Sequence, residues 1–205
     1  MNLLLIIHIS AGAIALLCAA LAVSTAKGQK LHVLSGRTYF WCMVIIFLTA
    51  IPMSIINSNI FLFLIAIFSF YLAFAGMRFA KNRKGIATAM DWIAVSVMIL
   101  SGLAMWALAV IFFTNDNSQY IILLVFGFIA VALGFEDYKS HKHKTAIGKV
   151  RIARHLTNMM GGTIAVITAV LVVNVNIEPV WIWWLLPTVV ITPISIYWNK
   201  KTLSL

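Results

Sequence analysis

The sequence predicts an all-α, polytopic membrane protein with seven transmembrane helices, and three observations lead to this fold class. Apolar residues make up 63% of the 205 residues and charged residues only 10%, which leaves too little polar surface to cover a soluble globule. Seven apolar segments each approach the roughly 20 residues that a helix needs to cross a bilayer core. All fifteen Lys and Arg residues fall in alternate gaps between these segments.

The seven segments are continuous apolar runs without the alternation of a membrane barrel, so helices are expected. The predicted spans cover residues 3–23, 39–56, 60–77, 92–113, 120–135, 155–175 and 181–198. The fifth span is short and is expected to tilt little or to borrow length from its flanks. The polar stretch 136–154 is predicted to be a loop. Because no linker rich in Gly, Ser or Pro interrupts the chain, residues 1–205 are predicted to form a single transmembrane domain.

The basic residues also predict the orientation of the chain, because short loops rich in Lys and Arg stay on the cytoplasmic side. The basic gaps hold fifteen cations and three acidic residues (Asp91, Glu136 and Asp137), a net charge of +12, whereas the other gaps hold only Asp116 and Glu178. The N-terminus is therefore predicted outside and the C-terminus in the cytoplasm. The expected partner is the lipid bilayer, and the chain lacks the soluble basic face that a nucleic-acid partner would need.

The first span carries a histidine on a face of small residues. His8 shares this face with Ala11, Gly12, Ala15 and Ala19. Small residues let another helix approach closely, so His8 is predicted to face a helix and not lipid. Such a histidine needs a partner. It is either a ligand-binding or proton-carrying group, or a neutral side chain that is hydrogen-bonded to a neighbouring backbone or hydroxyl group.

Prolines mark the second and seventh spans. Pro52, Pro187 and Pro193 are predicted to interrupt these helices, as in the broken helices that line transporter paths. Trp106 is predicted to pack within its span. Cys18 and Cys42 are predicted to act as small apolar residues and not to form a disulfide.

The sixth span combines a polar stripe with the densest group of polar residues in the chain. The stripe consists of His155, Asn158, Met159, Gly162, Ala165 and Ala169, and is predicted to be buried against other helices. Close in predicted depth to His155 are His32, Arg37, Arg78, Asp91, Glu136, Asp137, Arg151 and Arg154.

This group has two interpretations. In the first, salt bridges anchor the helix ends at the membrane interface. In the second, an arginine (Arg37, Arg78 or Arg154) binds an anionic group while His32, His155, Asp91 or Glu136 titrates or coordinates. The candidates for handling a ligand or proton are therefore His8, His32, Arg37, Arg78, Asp91, Glu136, Arg154, His155 and Asn158.

Cofactor signals in the sequence are weak, and no particular cofactor is predicted. A b-type haem is geometrically disfavoured, because His8 and His155 differ in depth by about 20 Å. It would need His32 with His155 near the inner face, or His155 with Met159, and the latter two lie on one helix. The weak candidates for metal ligands are His32, His155, Asp91 and Glu136. His141 and His143 are predicted to be solvated in a Lys-rich loop, and no zinc motif or nucleophile motif is present. No catalytic residue is predicted.

Several segments resemble a family of bacterial predicted integral-membrane proteins that is classed as a domain of unknown function. They are HISAGAIALL at 8–17, KGQKLHVLSGRTYF at 27–40, FYLAFAGMRF at 70–79, RHLTNMMGGTIAVITAVLVVN at 154–174 and WLLPTVVITPISIYW at 184–198. The marks that carry the resemblance are His8 with Gly12, His32 with Gly36 and Arg37, and Arg154 with His155. The resemblance implies a multi-helix protein of the bacterial cytoplasmic membrane, and it implies no substrate or reaction.

The function predicted from these residues is the binding or transport of a small molecule or ion at the cytoplasmic polar cluster. One alternative is a redox, haem-associated or respiratory-complex accessory subunit, in which the small-residue stripes bind partner subunits or further copies of the chain. Another alternative is a metal-dependent hydrolase within the membrane.

Overall fold

The computed structural model describes residues 2–204, and this part of the chain is all α-helical. The helices are α1 (Asn2–Ser24), α2 (Lys30–Ile56), α3 (Ile60–Lys81), α4 (Ala89–Thr114), α5 (Tyr120–Lys142), α6 (Gly148–Asn174) and α7 (Trp181–Ser204). All seven are long and apolar enough to cross a membrane. The prediction of an all-α chain is confirmed for the described residues, as is the prediction of seven helices with the length and composition of membrane spans.

The helices extend beyond the predicted spans, and the larger extensions are at the ends that carry the Lys and Arg residues. Helix α2 begins at Lys30 and not at residue 39, α5 continues to Lys142, and α6 already begins at Gly148. The predicted loop over 136–154 was therefore wrong for most of its length, since only residues 143–147 lie outside the helices. Hydropathy marks only the apolar part of a helix, whereas backbone hydrogen bonding continues through polar residues.

By its internal packing the chain divides into two compact units, residues 1–66 and 67–205. The first unit contains α1, α2 and the start of α3. The second contains the rest of α3 and helices α4 to α7. The prediction of a single transmembrane domain stays a prediction.

In the first unit, α1 packs on α2 through the small residues of α1. Ala11, Ala15 and Ala19 are buried, whereas a Cβ added to Gly12 would meet no atom within 4 Å. Cys18 and Cys42 are buried, unbridged thiols, as the sequence predicts. The predicted small-residue face is thus the packing face of α1.

In the second unit, α4 packs on α5, α6 packs on α7, and α5 also contacts α7. Helices α4 and α5 approach closely at a pair of glycines: a Cβ added to Gly127 would lie 2.9 Å from the carbonyl oxygen of Gly102 and 2.7 Å from Cδ1 of Trp106. The Trp106 indole donates a hydrogen bond to the carbonyl oxygen of Leu124 at 3.1 Å. The predicted packing role of Trp106 is confirmed.

The prolines do not break their helices. Helix α2 continues through Pro52, and α7 continues through Pro187 and Pro193. The prediction of interrupted helices was wrong, because each proline removes one backbone donor while the hydrogen bonds on either side keep the helix continuous.

Candidate functional site

The nine candidate residues lie in both units of the chain. His8, His32 and Arg37 belong to the first unit. Arg78, Asp91, Glu136, Arg154, His155 and Asn158 belong to the second. The structure brings these six together with other polar residues at the basic ends of α3, α4, α5 and α6.

His8 joins the two long helices of the first unit. Its Nδ1 atom lies 2.9 Å from Oγ1 of Thr49. The Thr49 hydroxyl also lies within hydrogen-bond distance of the carbonyl oxygens of Ile45 and Ile46, at 2.8 and 2.9 Å. Because that hydroxyl donates its one hydrogen to a carbonyl, it accepts a hydrogen from His8. The geometry favours the interpretation of His8 as a neutral side chain bonded to a hydroxyl group.

The other two candidates of the first unit lie near its basic connection. Nδ1 of His32 is 3.0 Å from the carbonyl oxygen of Ala22, so it donates a hydrogen bond from the start of α2 to the end of α1. Arg37 is exposed. His32 therefore helps to hold the α1–α2 hairpin together.

In the second unit, Arg78 and Asp91 form a bidentate ion pair that joins the end of α3 to the start of α4. Nε and Nη2 of Arg78 donate to the two carboxylate oxygens of Asp91 at 2.6 and 2.7 Å. Asp91 is only 3% exposed and also accepts a hydrogen bond from the backbone N–H of Thr88 at 2.7 Å, which caps α4. Such a fork is among the strongest polar contacts in proteins.

A second group of polar residues surrounds Asp137 on α5, which is 1% exposed. The Tyr71 hydroxyl of α3 donates to Oδ2 of Asp137 at 2.7 Å. Nδ2 of Asn158 on α6 lies 3.4 Å from the same oxygen and 3.1 Å from the carbonyl oxygen of Arg154. Asn158 is fully buried, and its Oδ1 atom meets no donor within residues 2–204.

Arg154 is shared between two carboxylates, and the exposed one is nearer. Its Nη2 donates to Oε2 of Glu136 at 2.7 Å, whereas its Nη1 stays 3.8 Å from Oδ1 of Asp137. Glu136 is 51% exposed and also faces Lys139 at 3.7 Å. Arg154, the cation nearest to Asp137, therefore binds mainly to Glu136, the residue next to Asp137 in the sequence.

Two further residues of α6 fasten this helix to the end of α3. Arg151 donates to the carbonyl oxygens of Phe79, at 3.1 Å, and Ala80. His155 donates from Nδ1 to the carbonyl oxygen of Gly76 at 2.9 Å. The last carbonyls of a helix lack helical partners, so the Arg151 contacts satisfy acceptors that would otherwise be unpaired.

His141 corrects another prediction. It was predicted to be solvated in a loop, but it lies on α5 and is buried. Its ring stacks on Phe79 with a centroid distance of 5.2 Å and meets Trp92 edge to face at 5.8 Å. A cavity of about 10 Å³ lies beside it, lined also by Tyr71 and Asp91, and this volume is near what one water molecule requires.

The polar stripe predicted on α6 is only partly buried, since His155, Met159 and Ala165 keep part of their surface exposed. Asn158 and Gly162 are buried, whereas Ala169 is exposed. The stripe on α5 is more continuous. It consists of Gly127, Ala130, Gly134, Asp137 and His141, all buried and spaced three or four residues apart.

Asp137, Tyr71 and His141 are the residues that sequence reasoning missed as site candidates. The signal for two of them was present, because the α5 spacing continues without change past residue 135, where the predicted span ended. Tyr71 gave no comparable signal, since an aromatic residue within an apolar run is ordinary.

The weak metal candidates do not gather in the structure. Within residues 2–204, no three His, Cys, Asp or Glu side chains come close enough together to hold a metal ion. Asp91 is engaged by Arg78, and Glu136 by Arg154. Two of the four weak metal candidates are thus engaged in ion pairs with arginines.

Comparison with known proteins adds no relative. No protein-family model, curated protein or solved structure matches this chain. The resemblance of its segments to a family of bacterial membrane proteins stays a prediction.

Proposed function

We propose that the chain is a multi-pass protein of a bacterial cytoplasmic membrane that binds a small monovalent cation, protons included, at Asp137, and that this binding serves transport. The seven helices suit a bilayer. The proposed orientation places the basic ends of the helices in the cytoplasm and the N-terminus outside, because Lys and Arg are retained on that side.

The observation that carries the proposal is the environment of Asp137. A carboxylate in the membrane part of a protein is costly, and such residues typically face the protein interior and mark ion paths. The two groups that donate to Asp137 or lie nearest to it, Tyr71 and Asn158, are neutral. Arg154 lies 3.8 Å away and is hydrogen-bonded to Glu136. A bound cation would balance the buried negative charge.

Asn158 supports the same ligand class. Its Oδ1 atom is a buried acceptor without a donor in the part of the chain that the structure describes. Buried polar atoms of this kind normally have a partner. Carboxylate, phenol and amide oxygens are groups that hard cations, ammonium ions and protonated water prefer.

The arginines are less suited to the anionic ligand that the sequence suggested. Arg78 already uses two of its nitrogens in the fork with Asp91, and Arg154 is engaged by Glu136. An anion would compete with a carboxylate at Arg78 and at Arg154. Helix α7 is also continuous, so it does not have the broken form that lines large substrate paths in transporters.

The proposal is tested with Asp137→Asn, and Glu136→Gln is the matched control because it removes the adjacent, exposed carboxylate. Melting temperatures of purified protein are measured in sodium, potassium and ammonium salts and across pH. We expect one cation, or protonation, to stabilise the wild type and Glu136→Gln but not Asp137→Asn. For a proton, infrared difference spectra should show a protonated carboxyl band that Asp137→Asn lacks. The proposal fails if no cation or pH change affects the wild type, or if Asp137→Asn responds equally.

The orientation is tested by single cysteines in a background without Cys18 and Cys42. A thiol reagent that cannot cross the membrane should label intact cells at Ser58→Cys and Ser118→Cys. It should not label Lys84→Cys or Lys144→Cys until the cells are opened. The reverse pattern would contradict the proposed orientation.

A further inference from the structure

We propose that a second site, distinct from the Asp137 cluster, binds the headgroup of an anionic lipid with two phosphate groups. The site is the surface where the α3–α4 connection packs against the α5–α6 connection. We call it the paired-loop surface and define it as residues 81–86 and 142–150.

The two connections touch at Gly85. This glycine is buried and has a φ of +67°, a conformation that residues with a side chain rarely adopt. A Cβ added to it would lie 2.9 Å from Cγ2 of Ile147 and 3.3 Å from the carbonyl oxygen of Lys144. Two basic segments that are about sixty residues apart in sequence therefore share one surface.

Among the residues that the structure describes, no acidic side chain forms an ion pair with the cations of this surface. Lys81, Arg83 and Lys84 on one connection and Lys142, Lys144 and Lys149 on the other are all exposed. The ion pairs of residues 2–204 use other cations instead, namely Arg78, Lys139 and Arg154. Six like charges on one surface repel one another, and a bound polyanion relieves that repulsion.

Exposed apolar residues indicate that this anion is a lipid. Ile86 and Met90 lie beside the first group of cations, and Ile147 and Val150 beside the second; all four are exposed. A soluble phosphate would leave these residues in water, whereas a lipid would place its phosphates on the cations and its acyl chains against the apolar side chains. Because each connection supplies three cations, two phosphates on one headgroup match the surface better than one.

The test is native mass spectrometry of the purified full chain, titrated with diphosphatidylglycerol, phosphatidylglycerol or phosphatidylcholine. We expect diphosphatidylglycerol to bind at least about tenfold more tightly than phosphatidylglycerol, since each surface cation contributes roughly fivefold in affinity. The triple variants K81Q/R83Q/K84Q and K142Q/K144Q/K149Q should each abolish this preference. The matched control K200Q/K201Q, which removes two cations of α7, should keep it within about twofold.

Two further variants and a competition experiment distinguish this lipid site from simple charge attraction, from the Asp137 site and from a site for a soluble diphosphate. Gly85→Val keeps every charge but forces the connections apart, so it should lose the preference for the two-phosphate lipid while still binding phosphatidylglycerol. Asp137→Asn should bind diphosphatidylglycerol normally, which makes this result independent of the cation proposal. The inference is overturned if the wild type binds both anionic lipids equally, or if K200Q/K201Q loses as much affinity as the triple variants. It is also overturned if inorganic pyrophosphate displaces the lipid at equal concentration, because the surface would then recognise a soluble diphosphate.

Discussion

The two units satisfy their polar groups in different ways. Residues 1–66 contain no Asp or Glu, and all five acidic residues follow in the second unit. In the first unit the Lys27 ammonium donates to backbone carbonyl oxygens, Ala22 at 2.9 Å among them, and His8 contacts a hydroxyl group. In the second unit carboxylates pair with arginines across helices. Carboxylates therefore join helices in the second unit, and one of them, Asp137, is buried with its nearest arginine nitrogen 3.8 Å away.

The comparison is tested most strongly by removing one partner of the buried fork. Arg78→Ala should cost about 3 to 5 kcal/mol of the free energy of unfolding, because it leaves Asp91 buried without its cation, whereas the exposed Arg37→Ala in the first unit should cost little. Unfolding in mixed micelles would measure both. The double variant R78A/D91A should recover part of the loss, and a double variant as unstable as R78A plus D91A separately would show that the two residues are not coupled.

The next largest loss of stability is expected where two helices pack closely. Gly127→Ala places a methyl group against Trp106 and the backbone of α4, and we expect a loss of about 2 kcal/mol. Gly12→Ala on α1 meets open space and should change the free energy of unfolding little. Equal changes for both substitutions, measured by the same unfolding method, would show that the close contact with α4 does not set the cost of Gly127→Ala.

Removing one hydrogen bond from the second unit should cost more stability than removing one from the first unit. Tyr71→Phe removes a donor from a buried carboxylate and should cost about 1.5 kcal/mol. Thr49→Val removes a contact between neutral groups and should cost about 0.6 kcal/mol. Melting temperatures of the two variants compare them directly. A larger loss for Thr49→Val would mean that His8 has a stronger role than the geometry indicates.

The smallest expected effect concerns the exposed cation at the end of α1. Lys27→Gln removes a charge beside the carbonyl oxygens of Ala22 and Thr25, and we expect a loss of about 0.5 kcal/mol that falls as salt is added. Denaturant titrations at low and high ionic strength would measure the salt dependence. A loss that does not change with salt would point to packing of the Lys27 side chain and not to its charge.

The helix content was predictable because it depends on local properties of the chain. A run of apolar residues excludes water over its whole length, so each of the seven runs became a helix that can span a bilayer. The helix ends were less predictable. Helix α5 continues through Lys139 and Lys142, whose side chains remain exposed while the helix backbone stays hydrogen-bonded. A polar residue at a helix end therefore does not mark where the helix stops.

Glu136 and Asp137 are adjacent in the sequence but differ in burial, and this difference depends on the packing of other helices. The sequence placed both carboxylates just after the predicted fifth span, on the side that carries the Lys and Arg residues, because charged residues are excluded from the apolar run before them. It could not distinguish them, since they are adjacent and chemically alike. In the fold Glu136 is 51% exposed and Asp137 is 1% exposed. Neighbouring residues of a helix point about 100° apart, so only the positions of α3 and α6 decide which carboxylate is buried.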